Sequence, residues 1–411
     1  MEVSMNYKLD RFSMLRKAGM LSVLIMTGVL VNASVLAAPD NDSYQIHGFA
    51  NQAYISTTDN NFFGETSGSE NFGFTELGVN GLIRPLPNMH IAGQLLLRRA
   101  GESDDGKVRL DYGLADYVMV SNPVQRVGVR AGRILNPLGI YNETRDVAHT
   151  RPSILLPQSI YFDRTRDLAI SSDGFQIYGE QRLVDQEFFW QLGVANPRVD
   201  NPEIELALLA DLPGKLDAEA SYFGRLQWEK DGGRLRVALS TIQANIDYSS
   251  TGQALPLDLS SGRIIFEPTV LSLQYNEEYW SLTAEYAQRH FQYENFGPGL
   301  PDMEFTGESY YLQGSFRFAP RWDAILRYDA AFTDKNDRNG SAYEAATTSP
   351  AHKRFAKDWT IGVGWNITPQ ILARSEMHIV NGTAWLPALD NIVSAPAKSW
   401  NMFNLSLSYR F

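Results

Sequence analysis

The chain has no cysteine, which excludes a disulfide framework and any thiolate metal or redox centre. It also lacks a basic cluster: 36 Lys and Arg stand against 47 Asp and Glu, for a formal net charge of -11. Too little positive charge is gathered in one place to neutralise nucleic-acid phosphates, so DNA and RNA are not expected partners. Beyond the N-terminal region no run of 18 apolar residues occurs, and the mean hydropathy is -0.25, which excludes a polytopic helical membrane protein. A transmembrane barrel survives this test, because lipid-facing and lumen-facing residues alternate along its strands and average to a soluble-looking composition.

Enzyme and metal signatures are equally sparse. The six histidines, His47, His90, His149, His290, His352 and His378, never stand four residues apart as in a helical zinc site. No G-x-S-x-G nucleophile elbow is present. The acidic stretch Asp334 to Gly340 lacks the spacing and the twelfth-position glutamate of a calcium loop and reads as an ordinary polar loop. Nothing calls for a cofactor, a metal or a catalytic residue.

What is present begins with an export signal. Lys8, Arg11, Arg16 and Lys17 precede the apolar stretch Ala18 to Val31, and the small-residue sequence Val35-Leu36-Ala37-Ala38 follows. That order is a secretory signal peptide over residues 1–37, cleaved after Ala37 or Ala38. Its removal takes four basic and two acidic groups, leaving residues 38–411 as a still more acidic mature chain.

From Tyr44 onward, segments of 10 to 14 residues carry apolar or aromatic side chains at every second position, the period of a strand with two different faces. Phe403, Leu405, Leu407, Tyr409 and Phe411 share one face of the last segment, and Met402, Asn404, Ser406, Ser408 and Arg410 the other. Trp359, Ile361, Val363 and Trp365 alternate in the same way with Thr360 and Asn366, and Leu312 and Phe316 with Tyr311, Gln313 and Arg317. About 16 such segments start near Tyr44, Asn71, Asn88, Lys107, Val124, Ser172, Gln186, Leu216, Gly233, Gly262, Glu278, Thr306, Arg321, Phe355, Gln370 and Lys398. Short connections alternate with long ones, the long ones near 58–70, 101–106, 134–171, 197–215, 249–261, 293–305, 334–354 and 382–397. Short turns on one rim and long loops on the other are the plan of an outer-membrane barrel. Aromatic residues near segment ends, among them Tyr44, Phe74, Tyr117, Trp190, Trp228, Tyr275, Trp280, Trp322, Trp359 and Phe411, fit interfacial girdles. The segment Ile204 to Leu212 reads as a short helix within the fourth long loop.

With its signal, its alternating strands, a very long loop after the fifth strand and the terminal Tyr409-Arg410-Phe411, the chain resembles a Gram-negative outer-membrane porin. The expected fold is an all-β transmembrane antiparallel barrel of about 16 strands with an inward-folded third loop, one domain over residues 38–411. The resemblance implies an outer-membrane location among lipid and lipopolysaccharide, a homotrimer, and assembly by the barrel-assembly machinery. Phe403, Leu405, Leu407, Tyr409 and Phe411 resemble the signal by which that machinery recognises its clients. Among porins the Arg-rich third loop looks most like the phosphate-selective group. That group pairs its arginines with a lysine cluster. Here the mature chain has 25 arginines and only seven lysines, scattered at Lys107, Lys215, Lys230, Lys335, Lys353, Lys357 and Lys398.

The loop 134–171 is the segment expected to carry function, since a connection of this length is far beyond a hairpin turn. Its Ile154, Leu155, Leu156, Ile160, Tyr161 and Phe162 supply apolar anchors, and a 16-strand barrel is too wide to discriminate without a loop folded into it. Arg145, Arg151, Arg164 and Arg166 face Glu143, Asp146, Asp163 and Asp167, and Arg98, Arg109, Arg126 and Arg130 have lumen parity on neighbouring strands. Such charges are expected to line the constriction of a passive channel for small hydrophilic solutes and to bias it toward anions. The same residues can instead pair off and pin the loop to the wall. A barrel enzyme and a structural or adhesive barrel remain as alternatives to a channel.

Overall fold

A computed structural model of the protein describes residues 44–411 except 70, 210, 211, 213, 251–258, 393 and 394. The expected signal peptide lies outside the described residues. Because side chains alternate across a strand, each segment must present one face inward and one outward. The strands are β1 (Tyr44–Thr57), β2 (Asn71–Leu86), β3 (Met89–Arg99), β4 (Asp105–Ser121), β5 (Gln125–Leu135), β6 (Ser171–Arg182), β7 (Gln186–Pro197), β8 (Gly214–Ala218) and β9 (Ser221–Lys230). They continue as β10 (Leu235–Ser250), β11 (Gly262–Asn276), β12 (Trp280–Glu294), β13 (Met303–Ala319), β14 (Trp322–Phe332), β15 (Phe355–Asn366), β16 (Ile371–Gly382) and β17 (Ser399–Arg410). Every start expected from the alternation falls within three residues of an observed one.

Each strand pairs antiparallel with its neighbours, and β17 pairs with β1 from Phe49 opposite Arg410 to Thr57 opposite Met402, so the sheet closes. Both β8 and β9 pair with β10. They are two pieces of one span, interrupted at Glu219 and Ala220, and the barrel is a closed 16-strand one. Closure leaves no open edge, the condition for a sheet to persist in lipid.

The faces are inverted relative to a soluble protein. Outward Trp359 and Ile361 are 50% and 57% exposed, whereas Thr360 between them is fully buried inside. Phe403, Leu405 and Leu407 are exposed while Asn404, Ser406 and Ser408 are buried. Apolar outside and polar inside is the pattern of a wall against hydrocarbon. Trp322 and Trp365 stack outside near the short turns with centroids 5.2 Å apart. Phe74 does not join a girdle. It is buried inside against Phe63, with the Arg98 guanidinium 5.3 Å from its ring, on the same face of β2 as the inward Glu76 two residues on.

At the seam the Phe411 amide donates to the Gly48 carbonyl at 3.0 Å and the Gly48 amide to the Phe411 carbonyl at 3.2 Å. The Phe411 ring lies over Gly48 so closely that a Cβ there would sit 2.4 Å from it. The short helix expected in the fourth long loop runs Pro202–Leu209.

Candidate functional site

The loop between β5 and β6 folds into the barrel, and nearly all of it is buried. Its base is clamped by Asn142, whose amide donates to the carbonyls of Asn136 (2.9 Å) and Ala169 (2.8 Å). Gly139 then turns with φ 62°, and a Cβ there would meet the Tyr161 hydroxyl at 2.4 Å, so this close approach needs glycine. The turn crosses the lumen: the Gly139 amide donates to the Ser240 hydroxyl on β10 (2.9 Å), and the Ile140 amide to Glu285 on β12 (2.9 Å). Tyr161, returning on the second limb, donates to the same Glu285 at 2.6 Å. One buried carboxylate thus holds both limbs.

The far end of the loop is held from β14 and β16. Glu376 accepts the Ile154 amide at 2.5 Å, and Arg327 donates to the Ser153 hydroxyl and the Leu155 carbonyl, each at 3.1 Å. Arg374 donates to the carbonyls of Ala148 and Arg151, both at 2.7 Å. His378 stands behind Glu376, with Nδ1 2.7 Å from Asp358 and Nε2 3.5 Å from Glu376. Apolar packing complements these bonds as the sequence leads one to expect. Ile154 and Leu155 join Phe62, Phe63, Phe74, Trp385 and Trp400, while Leu156, Ile160 and Tyr161 join a second cluster with Ile204 and Leu208 of the fourth-loop helix.

The charges of the loop meet the wall in a dense network. Arg166 contacts Asp146 at 2.6 Å, Asp167 at 3.3 Å and Asp111 of β4 at 3.4 Å. Arg98 of β3 contacts Asp163 at 2.6 Å, Asp104 at 3.5 Å and Glu76 of β2 at 3.6 Å. Arg151 reaches Glu76 at 2.7 Å and Arg145 reaches Asp163 at 3.4 Å. Arg109 pairs with Asp104 at 2.7 Å and lies 3.9 Å from Asp167. Between Glu76, Arg98, Arg145, Asp146, Arg151, Asp163 and Arg166 the cavity has a volume of about 10 Å³, room for about a single water. There loop and wall pack closely against one another.

The charge states of the loop follow from this packing. Burial pushes the Asp146 carboxyl up, but the Arg166 guanidinium outweighs it and holds the group well below the usual carboxylate range. Asp167, raised by burial and lowered more strongly by Arg166, Arg109 and Arg198, lies at about 2. Burial brings Arg145 down to about 10, partly offset by Asp163, so it stays charged at neutral pH. His149 is lowered to about 4 by burial, with Arg410 and Arg374 adding to the effect.

Not all the arginines singled out from the sequence join this seam. Arg126 and Arg130 sit further along β5. Arg130 pairs with Asp116 at 3.1 Å, and both guanidinium groups lie over the Tyr178 ring, at 4.3 Å for Arg130 and 5.8 Å for Arg126. Glu143 turns the other way, to Arg225 of β9 at 2.7 Å. Arg164 pairs at 3.0 Å with Glu203, a buried carboxylate of the short helix that also accepts the amides of Ala388 and Leu389. Of the wall residues that hold the loop, Glu285 has the lumen-facing parity read from the sequence, whereas Glu76, Asp111, Arg289, Arg327, Arg374 and Glu376 were not singled out. Their inward parity was readable along each strand, but nothing local marks them as facing the loop. Arg289 and Arg374 are distinctive. Arg289 lies 4.4 Å from the Phe162 ring and donates to the Phe332 carbonyl, and neither arginine forms an ion pair within 4 Å among the described residues.

No family model matches the chain, and no curated protein matches it in sequence. Among solved structures it is similar to the outer membrane channel DcaP of Acinetobacter baumannii, with a TM-score of 0.58 at 11% identity over 91% of this chain and 99% of that one. It is also similar to an anion-selective porin from Comamonas acidovorans (TM-score 0.56, 15% identity, 90% of this chain and 99% of that one). A third, OprB of Pseudomonas putida, gives 0.55 at 11% identity over 90% and 94%. The chain therefore has the fold of outer-membrane porins.

Proposed function

We propose that the protein is a porin of the Gram-negative outer membrane, a passive diffusion channel for small hydrophilic solutes and ions rather than an enzyme or a structural barrel. The observation that carries this reading is the third loop, docked across a polar-walled barrel by anchors on β2, β3, β4, β10, β12, β14 and β16. A barrel serving only as an anchor has no need of a loop that narrows its lumen, whereas a channel of this width needs one to discriminate. Residues 1–37 act as the export signal, and N-terminal sequencing of the mature protein, expected to begin at Ala38 or Pro39, checks this. The trimeric state and the interactions with lipopolysaccharide and the assembly machinery belong to the same reading. Crosslinking that captures only monomers would count against the trimer.

The charge preference of the channel is a weak anion preference. Arg98, Arg109, Arg145, Arg151, Arg164 and Arg166 each have a carboxylate within 4 Å, and a close pair presents little net field at a distance. Positive excess remains at Arg289, whose guanidinium is satisfied by the Phe332 carbonyl and the Phe162 ring, whereas Arg374 has Glu376 and Asp323 nearby. The test is the reversal potential in a KCl gradient across a planar bilayer. Arg289→Gln should move it toward cation preference, and Arg145→Gln should move it less. A purified protein that forms no pores would sink the channel reading, and an unmoved potential in Arg289→Gln would sink the selectivity reading.

A further inference from the structure

Three phenylalanines face inward from adjacent strands near the long-loop rim. Phe266 of β11 stands opposite Phe291 of β12, and Phe291 opposite Phe305 of β13. Phe291 has the inward parity of Glu285 on the same strand. The rings stack along the row, with centroids 4.7 and 5.0 Å apart and planes inclined by 28° and 17°. Neighbouring strands are themselves about 4.8 Å apart, so each ring stands upright on its own strand and turns its far edge to the lumen. All three are partly buried and not sealed within the core. Toward the rim, Tyr293 stacks on Phe305 at 6.3 Å, and its hydroxyl donates to the Leu208 carbonyl of the fourth-loop helix at 3.0 Å.

Two arginines frame this row. Arg289 precedes Phe291 by two residues on the same face of β12, one step toward mid-barrel, and lies 4.4 Å from the Phe162 ring of the third loop. Arg354, immediately before β15, lies 5.9 Å from the Phe305 ring and 4.8 Å from that of Tyr343. Among the described residues neither guanidinium has a carboxylate within 4 Å, and the Nε of each is buried without a hydrogen-bond partner. Buried polar groups are nearly always satisfied, so both ends of the row offer a donor that lacks an acceptor.

We propose that this inner wall is a binding site for a small organic anion with a flat apolar body, an aromatic carboxylate. The edge of an aromatic ring is the positive side of its quadrupole and the face is the negative side. An aromatic solute lying flat along the wall therefore sets its face on three ring edges, the edge-to-face geometry that ring pairs favour. Its carboxylate reaches Arg354 or Arg289, whose forked donors match two carboxylate oxygens. An inorganic anion would use the arginines and leave the rings idle, and a cation would be repelled by both. Largely apolar lining with a few placed charges is the usual make-up of a small-molecule site. This assignment presupposes the channel function proposed above.

The test is current blockade of the full-length mature barrel in a planar bilayer bathed in KCl, with sodium benzoate titrated on the long-loop side. Sodium acetate supplies the carboxylate without the ring. Benzoate should reduce the current saturably, and acetate at the same concentrations should not. Phe291→Leu with Phe305→Leu, which keep apolar bulk but remove the ring edges, should raise the half-blocking benzoate concentration roughly tenfold. Arg354→Gln leaves no carboxylate stranded and should raise it by a similar factor, roughly tenfold. Benzoate and acetate acting alike on the wild type, or either folded variant keeping the wild-type half-blocking concentration, overturns the site. Heat-modifiable migration verifies folding, and if the leucine pair does not fold, Arg354→Gln decides by itself. A wild type that forms no pores overturns the channel reading, whereas a conducting barrel indifferent to benzoate overturns only this site.

Discussion

Replacing Arg166 with glutamine probes what holds the loop in place. The guanidinium is 3% exposed and touches three carboxylates, Asp146, Asp167 and Asp111. Its removal leaves Asp146 buried with its closest counter-charge gone. Breaking a buried ion pair by deleting one partner costs roughly 3–5 kcal/mol, and each 1.4 kcal/mol is about a tenfold change in an equilibrium. The balance between docked and released forms of the segment around Arg166 should therefore move by about two to three and a half powers of ten, while Glu285 still holds both limbs through Ile140 and Tyr161, and Arg327 and Glu376 hold the tip. Single-channel recording should show larger conductance and frequent transitions between levels, and the barrel should keep its heat-modifiable migration, because the strands are untouched. Adding Asp146→Asn to Arg166→Gln removes the stranded charge and should restore much of the quiet, lower-conductance state. A variant with the conductance and noise of wild type would refute the reasoning, showing that these pairs do not hold the loop.

Acid should loosen the loop through His149. Its docked pKa of about 4 lies below the free value of about 6.5, so the released loop binds a proton that the docked loop does not. Docking is unaffected above about pH 6.5 and weakens progressively as the pH falls toward 4, and His149→Gln should abolish this part of the pH dependence of channel noise. Asp146 and Asp167 act in a lower range. Their pKa values are depressed, so their contribution is complete above the free carboxylate value of about 4, and for Asp167 it is lost as the pH falls through about 2. Deleting Phe411 should lower the yield of folded barrel in the outer membrane without altering the conductance of the molecules that do fold. Gly48→Val, which intrudes on the same ring, should act in the same direction at a cost of about 1–3 kcal/mol, read from heat-modifiable migration. Normal assembly in both would show that the terminal aromatic is dispensable.

The strands, their order along the chain and the faces they turn to lipid were legible because alternation is local. Each residue's side follows from the one before it, and turn residues punctuate the segments. Phe74 obeys this logic too, sharing the inward parity of Glu76 two residues on, and its expected place in a girdle rested on its aromatic ring near a strand end rather than on alternation. The apolar anchors Ile154, Leu155 and Tyr161 were legible too, since hydrophobic residues in a long polar loop must find cover somewhere. Where they find it was not.

Tertiary structure alone decided which charges meet. Arg98, Glu76 and Asp163 belong to a strand, its neighbour and a distant loop, and their contact exists only because the barrel closes and the loop crosses it. The same closure separates Arg126 and Arg130 from the seam, and leaves Arg289 with a carbonyl and a ring in place of a carboxylate. Strand pairing also sets Phe266, Phe291 and Phe305 in one row of rings. Alternation determines the side of the wall on which a group stands, whereas the strength of an ion pair depends on distance and burial, which arise only when segments far apart in sequence are brought together.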